Sequence, residues 1–229
     1  MPKRGKKYLE MVKKLEKREY TPEEAIKVVK ELTSSNGRKF EETVEVAVAL
    51  NIKPKEKGER VRGTVSLPRG LGRKVRVLVF AAGDQAEEAK KAGADFVGGE
   101  DLIQKIEKGW LDFDAVVATP QLMRSVARLG RILGPKGLMP SPKIGTVTDN
   151  PGKVVEELKR GKIEYRNDAT GVIHAPIGKV SFSEDALLEN FYALLKAIEK
   201  DKPSTVKGRY IKSIYISSTM GPGIKVKYT

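Results

Sequence analysis

Val61-Arg62-Gly63-Thr64-Val65-Ser66-Leu67-Pro68-Arg69-Gly70-Leu71-Gly72 runs directly into Arg73-Lys74-Val75-Arg76-Val77-Leu78-Val79-Phe80-Ala81-Ala82, and the hydrophobic pattern changes between the two. In the first stretch Val61, Val65 and Leu67 alternate with Arg62, Thr64 and Ser66. This is the period-two signature of a strand with one face on a core. In the second, Val75 to Ala82 is almost continuously apolar, which suits a strand covered on both faces, as in a parallel sheet flanked by helices. Two kinds of sheet therefore meet at Pro68 to Gly72.

Working outward, each kind keeps its own territory. Upstream, Val44-Glu45-Val46-Ala47-Val48-Ala49-Leu50-Asn51-Ile52 alternates like the first stretch. With a charged turn over Lys53 to Arg60 between them, the two strands are expected to pair. Before them, Tyr8, Val12 and Leu15 share a helical face. Thr21-Pro22-Glu23-Glu24 starts a second helix with a capping hydroxyl, a proline at the first position and a Glu three residues after the cap. Downstream, Ala115-Val116-Val117-Ala118 repeats the buried pattern, and Val97 marks another short strand. Helical stretches separate them at Gln85 to Lys91, Leu102 to Lys108 and Met123 to Leu133, with a last one near Lys153 to Arg160. Alternation then returns in Ile163 to Arg166, in strands within Val172 to Phe182, in Tyr210 to Ser217 and in Ile224 to Tyr228. A helix starting at Ser183-Glu184-Asp185 lies among them, with Leu187, Leu188, Phe191, Leu194, Leu195 and Ile198 on its face.

The predicted fold is thus a two-domain α/β chain. A split α+β domain with an antiparallel sheet takes residues 1–67 and 160–229. A Rossmann-like α/β domain of parallel strands and helices is inserted at 68–159. The two connections contain glycine, and Pro68, Gly70, Gly72 and Gly161 are the expected hinge.

Charge follows the same division. The chain has 44 basic and 30 acidic side chains, a net of +14. Residues 1–65 hold 17 and 11, residues 66–159 hold 15 and 12, and residues 160–229 hold 12 and 7. The split parts therefore carry +11 of the +14. A large positive field attracts polyanions, nucleic acid first among them. Ion-pair networks on a heat-stable surface would account for many charges but not for an excess of one sign.

Several classes are set aside. No apolar run approaches the ~20 residues that span a bilayer. The basic Met1-Pro2-Lys3-Arg4-Gly5-Lys6-Lys7 has no apolar core after it and does not read as a signal peptide. With no cysteine and one histidine, His174, the chain can build neither a thiolate site nor a multi-histidine metal site. Gly70-Leu71-Gly72 precedes a buried strand, whereas a dinucleotide loop follows one, and no segment matches a phosphate-binding GxxxxGK[ST] loop. Glu23-Glu24, Glu41-Glu42 and Glu87-Glu88 read as helix starts or solvated faces. The expectation is a protein that is not an enzyme and needs no cofactor.

Two stretches carry the chemistry of RNA recognition. Arg38-Lys39-Phe40-Glu41-Glu42-Thr43 sets an aromatic beside two cations, so that phosphates can be held while a ring stacks on a base. Phe40 could equally begin the core. Ser217-Ser218-Thr219-Met220-Gly221-Pro222-Gly223 is a stiff polar turn that can pack against a sugar and bond a 2′-hydroxyl. Its composition also suits a plain hairpin turn.

The chain resembles the large-subunit ribosomal protein L-one family, of the bacterial type, over essentially its whole length. The resemblance rests on Val61 to Pro68, on Gly98-Gly99 with Asp112 to Pro120, and on Leu129-Gly130-Arg131-Ile132-Leu133-Gly134-Pro135-Lys136-Gly137-Leu138-Met139-Pro140. Pro142 to Val147, Arg166-Asn167-Asp168, Ile173 to Lys179 and Thr219 to Pro222 extend it. The Ser34-Ser35-Asn36-Gly37 loop is slightly longer than usual for the family. The resemblance implies a constituent of the large ribosomal subunit, located in the cytoplasm on the ribosome and monomeric when free. It implies binding to the mobile-stalk region of 23S rRNA, release of deacylated exit-site tRNA, and repression through the mRNA of its own operon. The family's RNA contacts map onto Phe40, Thr43, Glu45, Thr219, Met220 and Gly221, with Lys39, Arg166, His174 and Ser217 beside them.

Overall fold

The architecture follows from which faces of each strand are covered. A computed structural model describes residues 5–35, 37–54 and 59–228. Residues 1–4, 36, 55–58 and 229 lie outside it, and with them parts of the basic N-terminus, the 34–37 loop and the expected charged turn. The chain forms two compact units, one of Met1–Gly72 with Ile163–Thr229 and one of Arg73–Lys162.

In the split unit, β1 (Thr43–Leu50) is central, between β7 (Val172–Lys179) and β8 (Ile211–Ser218), and β9 (Ile224–Val226) lies outside β8. All three pairings are antiparallel. Val44, Val46, Val48 and Leu50 on β1 point to one face, with Ile173, Ile177, Ile214 and Ile216 from its neighbours. Two helices cover that face. α2 (Pro22–Ser34) contributes Ile26 and Val29, and α8 (Glu184–Lys200) contributes Leu187, Phe191 and Leu194. The predicted cap of α2 is present as a full capping box: the Thr21 hydroxyl accepts from the Glu24 N–H, and the Glu24 carboxylate accepts from the Thr21 N–H. β7 carries Pro176 in mid-strand, and the register slips between Val44 and Glu45 opposite it. An edge strand with a bulge is where a residue lacking an N–H is tolerated.

Several expectations change. β2 (Arg62–Ser66) does not pair with β1; it forms a separate two-stranded ribbon with β6 (Lys162–Arg166), because both edges of β1 are already taken by β7 and β8. Val172 to Phe182 contains one bulged strand, Val172–Lys179, not several. In α1 (Lys6–Lys14) the buried residue is Met11, while Val12 faces solvent and Leu15 lies just past the helix end. The compact units divide after Gly72 and after Lys162 rather than at 68 and 160. Residues 68–72 stay with the split unit because α8 holds them. The Arg69 N–H donates to Asn190 Oδ1 (3.0 Å), and Asn190 Nδ2 donates to the carbonyls of Gly70 (3.0 Å) and Ile177 (2.7 Å). Arg69 also makes a two-pronged pair with Glu189. Gly70, Gly72 and Gly161 all take positive φ. A side chain at Gly72 would moreover run into the Phe182 ring at 2.6 Å.

The inserted unit has a three-stranded parallel sheet, with β3 (Val77–Phe80) between β4 (Phe96–Gly98) and β5 (Ala115–Ala118). Alternate residues serve two cores. Leu78, Phe80 and Val116 pack on α4 (Glu100–Glu107) and on Val126, Leu129 and Leu133. Val77, Val79 and Val117 pack on α3 (Asp84–Lys91) and α7 (Pro151–Arg160). Burial on both faces is what removed the alternation from the sequence. The single helix expected from Met123 to Leu133 is broken into α5 (Met123–Val126), a 3-10 turn (Ala127–Leu129) and α6 (Gly130–Leu133).

Candidate nucleic-acid interface

Among the described residues no helix packs on the second face of the four-stranded sheet, and its side chains alternate out of the core. One row across it reads Pro176, Glu45, Ser217, and the next reads His174, Ala47, Tyr215, Lys225. Glu45, His174, Tyr215 and Lys225 are exposed. Successive rows stand two residues apart, roughly 7 Å along the strands.

At the Thr43 end of this sheet the chain builds a clasp. The Thr43 N–H donates to Thr219 Oγ1 (2.9 Å), the Thr219 N–H donates to the Thr43 carbonyl (3.0 Å), and the Thr219 hydroxyl reaches the same carbonyl at 3.3 Å. The Met220 N–H donates to Glu42 Oε2 (3.1 Å), whose Oε1 accepts from Arg38 at 2.9 Å. The Glu42 side chain is fully buried and that of Arg38 is 14 % exposed. The turn is closed by the Gly221 N–H on the Ser218 carbonyl. A Cβ at Gly221 would lie 2.5 Å from Ser218 Oγ, so only glycine allows this approach. The clasp thus joins the two stretches singled out in the sequence.

What the clasp displays is apolar. Phe40 and Met220 are each 53 % exposed, on segments tied to one another. Phe40 does not start the core, which settles the alternative its sequence left open. Thr43 Oγ1 accepts from Lys179 Nζ at 2.9 Å, which leaves its own proton available to an incoming acceptor. Lys39 is exposed beside Phe40.

The structure therefore brings Phe40, Thr43, Glu45, Ser217, Thr219, Met220 and Gly221 to one sheet end. His174 is further along the same face, paired with Ala47. Arg166 lies apart, on the β2–β6 ribbon. Between them Asp168 organises the turn into β7. Its carboxylate accepts from the N–H groups of Val172 (2.9 Å) and Thr170 (2.8 Å), which hold it below the usual carboxylate range.

One expectation is corrected. Glu42 is not a solvated carboxylate, because two donors draw it inside. Nothing in the composition of Glu41-Glu42 distinguishes its two members; strand parity does, since Glu42 falls in step with buried Val44. Tyr215 also stands on the open face, where its spacing from Ser217 and Ser213 places it. Among the described residues no group of three or more acidic, histidine or cysteine side chains could hold a metal ion, and no helix is long and apolar enough to cross a membrane.

These features have a counterpart among known proteins. The model of the Ribosomal protein L1p/L10e family, a structural and not an enzymatic family, matches residues 29–222, which include residues 38–45 and 217–221 of the clasp and the whole inserted unit. The chain belongs to that family and is a ribosomal protein of the large subunit that binds rRNA.

Proposed function

We propose that the protein sits at the mobile stalk of the large subunit and grips a folded region of 23S rRNA at the sheet end built by residues 38–45 and 217–221. The observation that carries this reading is the clasp, which keeps Phe40 and Met220 in water although folding ordinarily hides such side chains. An aromatic and a thioether, rimmed by Lys39 and the Thr43 hydroxyl, suit unstacked bases and sugar edges.

The roles divide by chemistry. Phe40 and Met220 pack against bases and sugars, and Gly221 lets the backbone come close. Thr219 spends its hydroxyl on Thr43 and so positions Met220. Ser217 and the carboxylate of Glu45 accept from 2′-hydroxyls or a guanine edge. Lys39 and Arg166 meet phosphates, and His174 offers a ring and a polar nitrogen further along the face.

The same surface would take the mRNA of its own operon where that RNA adopts the shape of the rRNA site, which makes the protein a translational repressor. Movement about Pro68, Gly70, Gly72 and Gly161 would serve the release of deacylated tRNA from the exit site. The protein acts in the cytoplasm on the ribosome, without enzymatic activity, cofactor or membrane, and is a monomer when free.

The test is a salt titration of binding to a stalk-rRNA fragment and to a scrambled RNA, for wild type and for Thr219→Ala/Met220→Ala. Preference for the native fragment that collapses in the variant is the expected result. Equal, steeply salt-dependent binding to both RNAs would reduce the protein to a generic polyanion binder. Repression is read separately, from a reporter carrying the operon leader.

A further inference from the structure

The inserted unit owes its net positive charge to one segment. Residues 121–148 contain five cations, Arg124, Arg128, Arg131, Lys136 and Lys143, and no acidic side chain. Residues 73–162 hold 16 basic and 12 acidic side chains, so the remainder of the unit, with 11 and 12, is net negative. All five cations are exposed. Four of the other eleven cations of the unit are paired: Arg76 with Asp112 and Asp114, Lys159 with Asp95, Arg160 with Glu156, Lys162 with Glu157. None of these ion pairs includes any of the five.

The arrangement has a cause in the fold. The broken helical run from Met123 to Leu133 buries Val126, Leu129 and Leu133 completely in the core beneath the sheet. Arg124, Arg128 and Arg131, at i, i+4 and i+7, then form a stripe on the opposite face, with neighbouring Cβ atoms about 5–6 Å apart. The chain beyond continues the display. The Gly137 N–H closes a turn on the Gly134 carbonyl that presents Lys136, and Pro142–Ile144 forms a 3-10 turn that presents Lys143. The return is pinned by the Ser141 N–H on Thr146 Oγ1 (2.9 Å), and Val147 then bridges to Ala118. The five cations therefore stand on one hydrogen-bonded excursion that leaves and rejoins the sheet at the same residue of β5.

Five like charges with no acid among them repel one another. Three are guanidinium groups, whose planar forks match phosphate oxygens. Because the apolar side chains of the helical run are spent in the core, the segment has no apolar face to enter a lipid surface. We propose that this stripe is a second RNA-binding surface, which holds the phosphate backbone of an RNA strand without regard to base sequence. It is separate from the clasp and does not depend on the clasp binding RNA.

The experiment compares the full chain with two variants of equal net charge. One carries Arg124→Gln, Arg128→Gln, Arg131→Gln, Lys136→Gln and Lys143→Gln. The other carries Lys90→Gln, Lys91→Gln, Lys105→Gln, Lys108→Gln and Lys153→Gln, all exposed on the same unit. Unchanged circular dichroism and melting establish that both fold. Binding of a fluorescein-labelled oligouridine is followed from about 50 to 200 mM salt. The stripe variant is expected to lose at least about tenfold in affinity, and its salt slope to fall by roughly 2, at ~0.7 per phosphate contact on a single strand. The control variant should lose less than about threefold by the same counterion argument. Equal losses in the two variants would overturn the assignment, since net charge alone would then account for binding. So would binding of wild type to phosphatidylserine vesicles that disappears in the stripe variant while oligouridine binding persists.

Discussion

The two sheets use much the same residues and end up with opposite prospects. β3 in the inserted unit is valine, leucine and phenylalanine with helices on both sides, so every side chain is committed to packing. β1 in the split unit alternates, so half of its side chains face the core and the other half face water, with Glu45 and Ala47 among them. A sheet covered once keeps a face for a partner. A sheet covered twice can offer only its loops and the outer faces of its helices. The clasp on the one unit and the cationic stripe on the other follow that rule.

The sharpest way to break the comparison is to injure the doubly covered sheet. Phe80→Ala removes a fully buried ring and should cost about 3–5 kcal/mol of stability in urea unfolding. The preference for native over scrambled rRNA fragment should be untouched at temperatures where the variant is folded. A collapse of that preference would mean that the two units do not act separately.

Next in size is the clasp itself. Glu42→Ala leaves Arg38 without its counter-charge and the Met220 N–H without an acceptor. A loss of about 3 kcal/mol is expected, the scale for breaking a largely buried ion pair. A loss near zero would show that Arg38 reaches water readily. Phe40→Ala tests display rather than stability: its ring is half exposed, so the melting temperature should hold while affinity for the rRNA fragment falls by about 1–3 kcal/mol, the range for a stacked base. Thr21→Ala removes the capping box of α2 and should cost about 1 kcal/mol without altering RNA binding.

The smallest effect concerns Tyr210, whose buried hydroxyl has no hydrogen-bond partner. Tyr210→Phe should therefore change stability at neutral pH by less than about 1 kcal/mol. Burial, helped by the charge of Asp201, pushes the phenol up to about 12. A folded value above the unfolded value of about 10 means that its contribution is complete below pH ~10 and is lost as the pH rises toward 12. The variant should lose less stability than wild type across that window. Parallel pH profiles for the two would refute the assignment.

Much of this was legible without coordinates. Alternation at 44–52 and its absence at 75–82 identified the two sheets, and Thr21-Pro22-Glu23-Glu24 identified a helix start that exists as read. Pairing was harder. β2 has the pattern of a partner for β1, but pattern states which face is buried and not which edge is free, and β7 and β8 had taken both edges. The candidate site was half legible. Phe40 and Thr219 stand out by residue type, whereas Glu42 and Tyr215 are placed by strand parity against their type, and the partners that hold Glu42 inside include Met220, far away in the chain.

The sequence alone determined the periodicities, the caps, the excess of positive charge and the absence of thiolate or multi-histidine chemistry. All of these are properties of composition or of residues a few positions apart. Tertiary structure alone decided that Thr43 meets Thr219, that Glu42 lies between Arg38 and Met220, and that residues 68–72 remain with α8. It also decided that the apolar side of the 123–133 run faces the core, which leaves its arginines outward. Each of these joins segments distant in sequence, and which segments meet is fixed by the packing of the whole chain rather than by local preference.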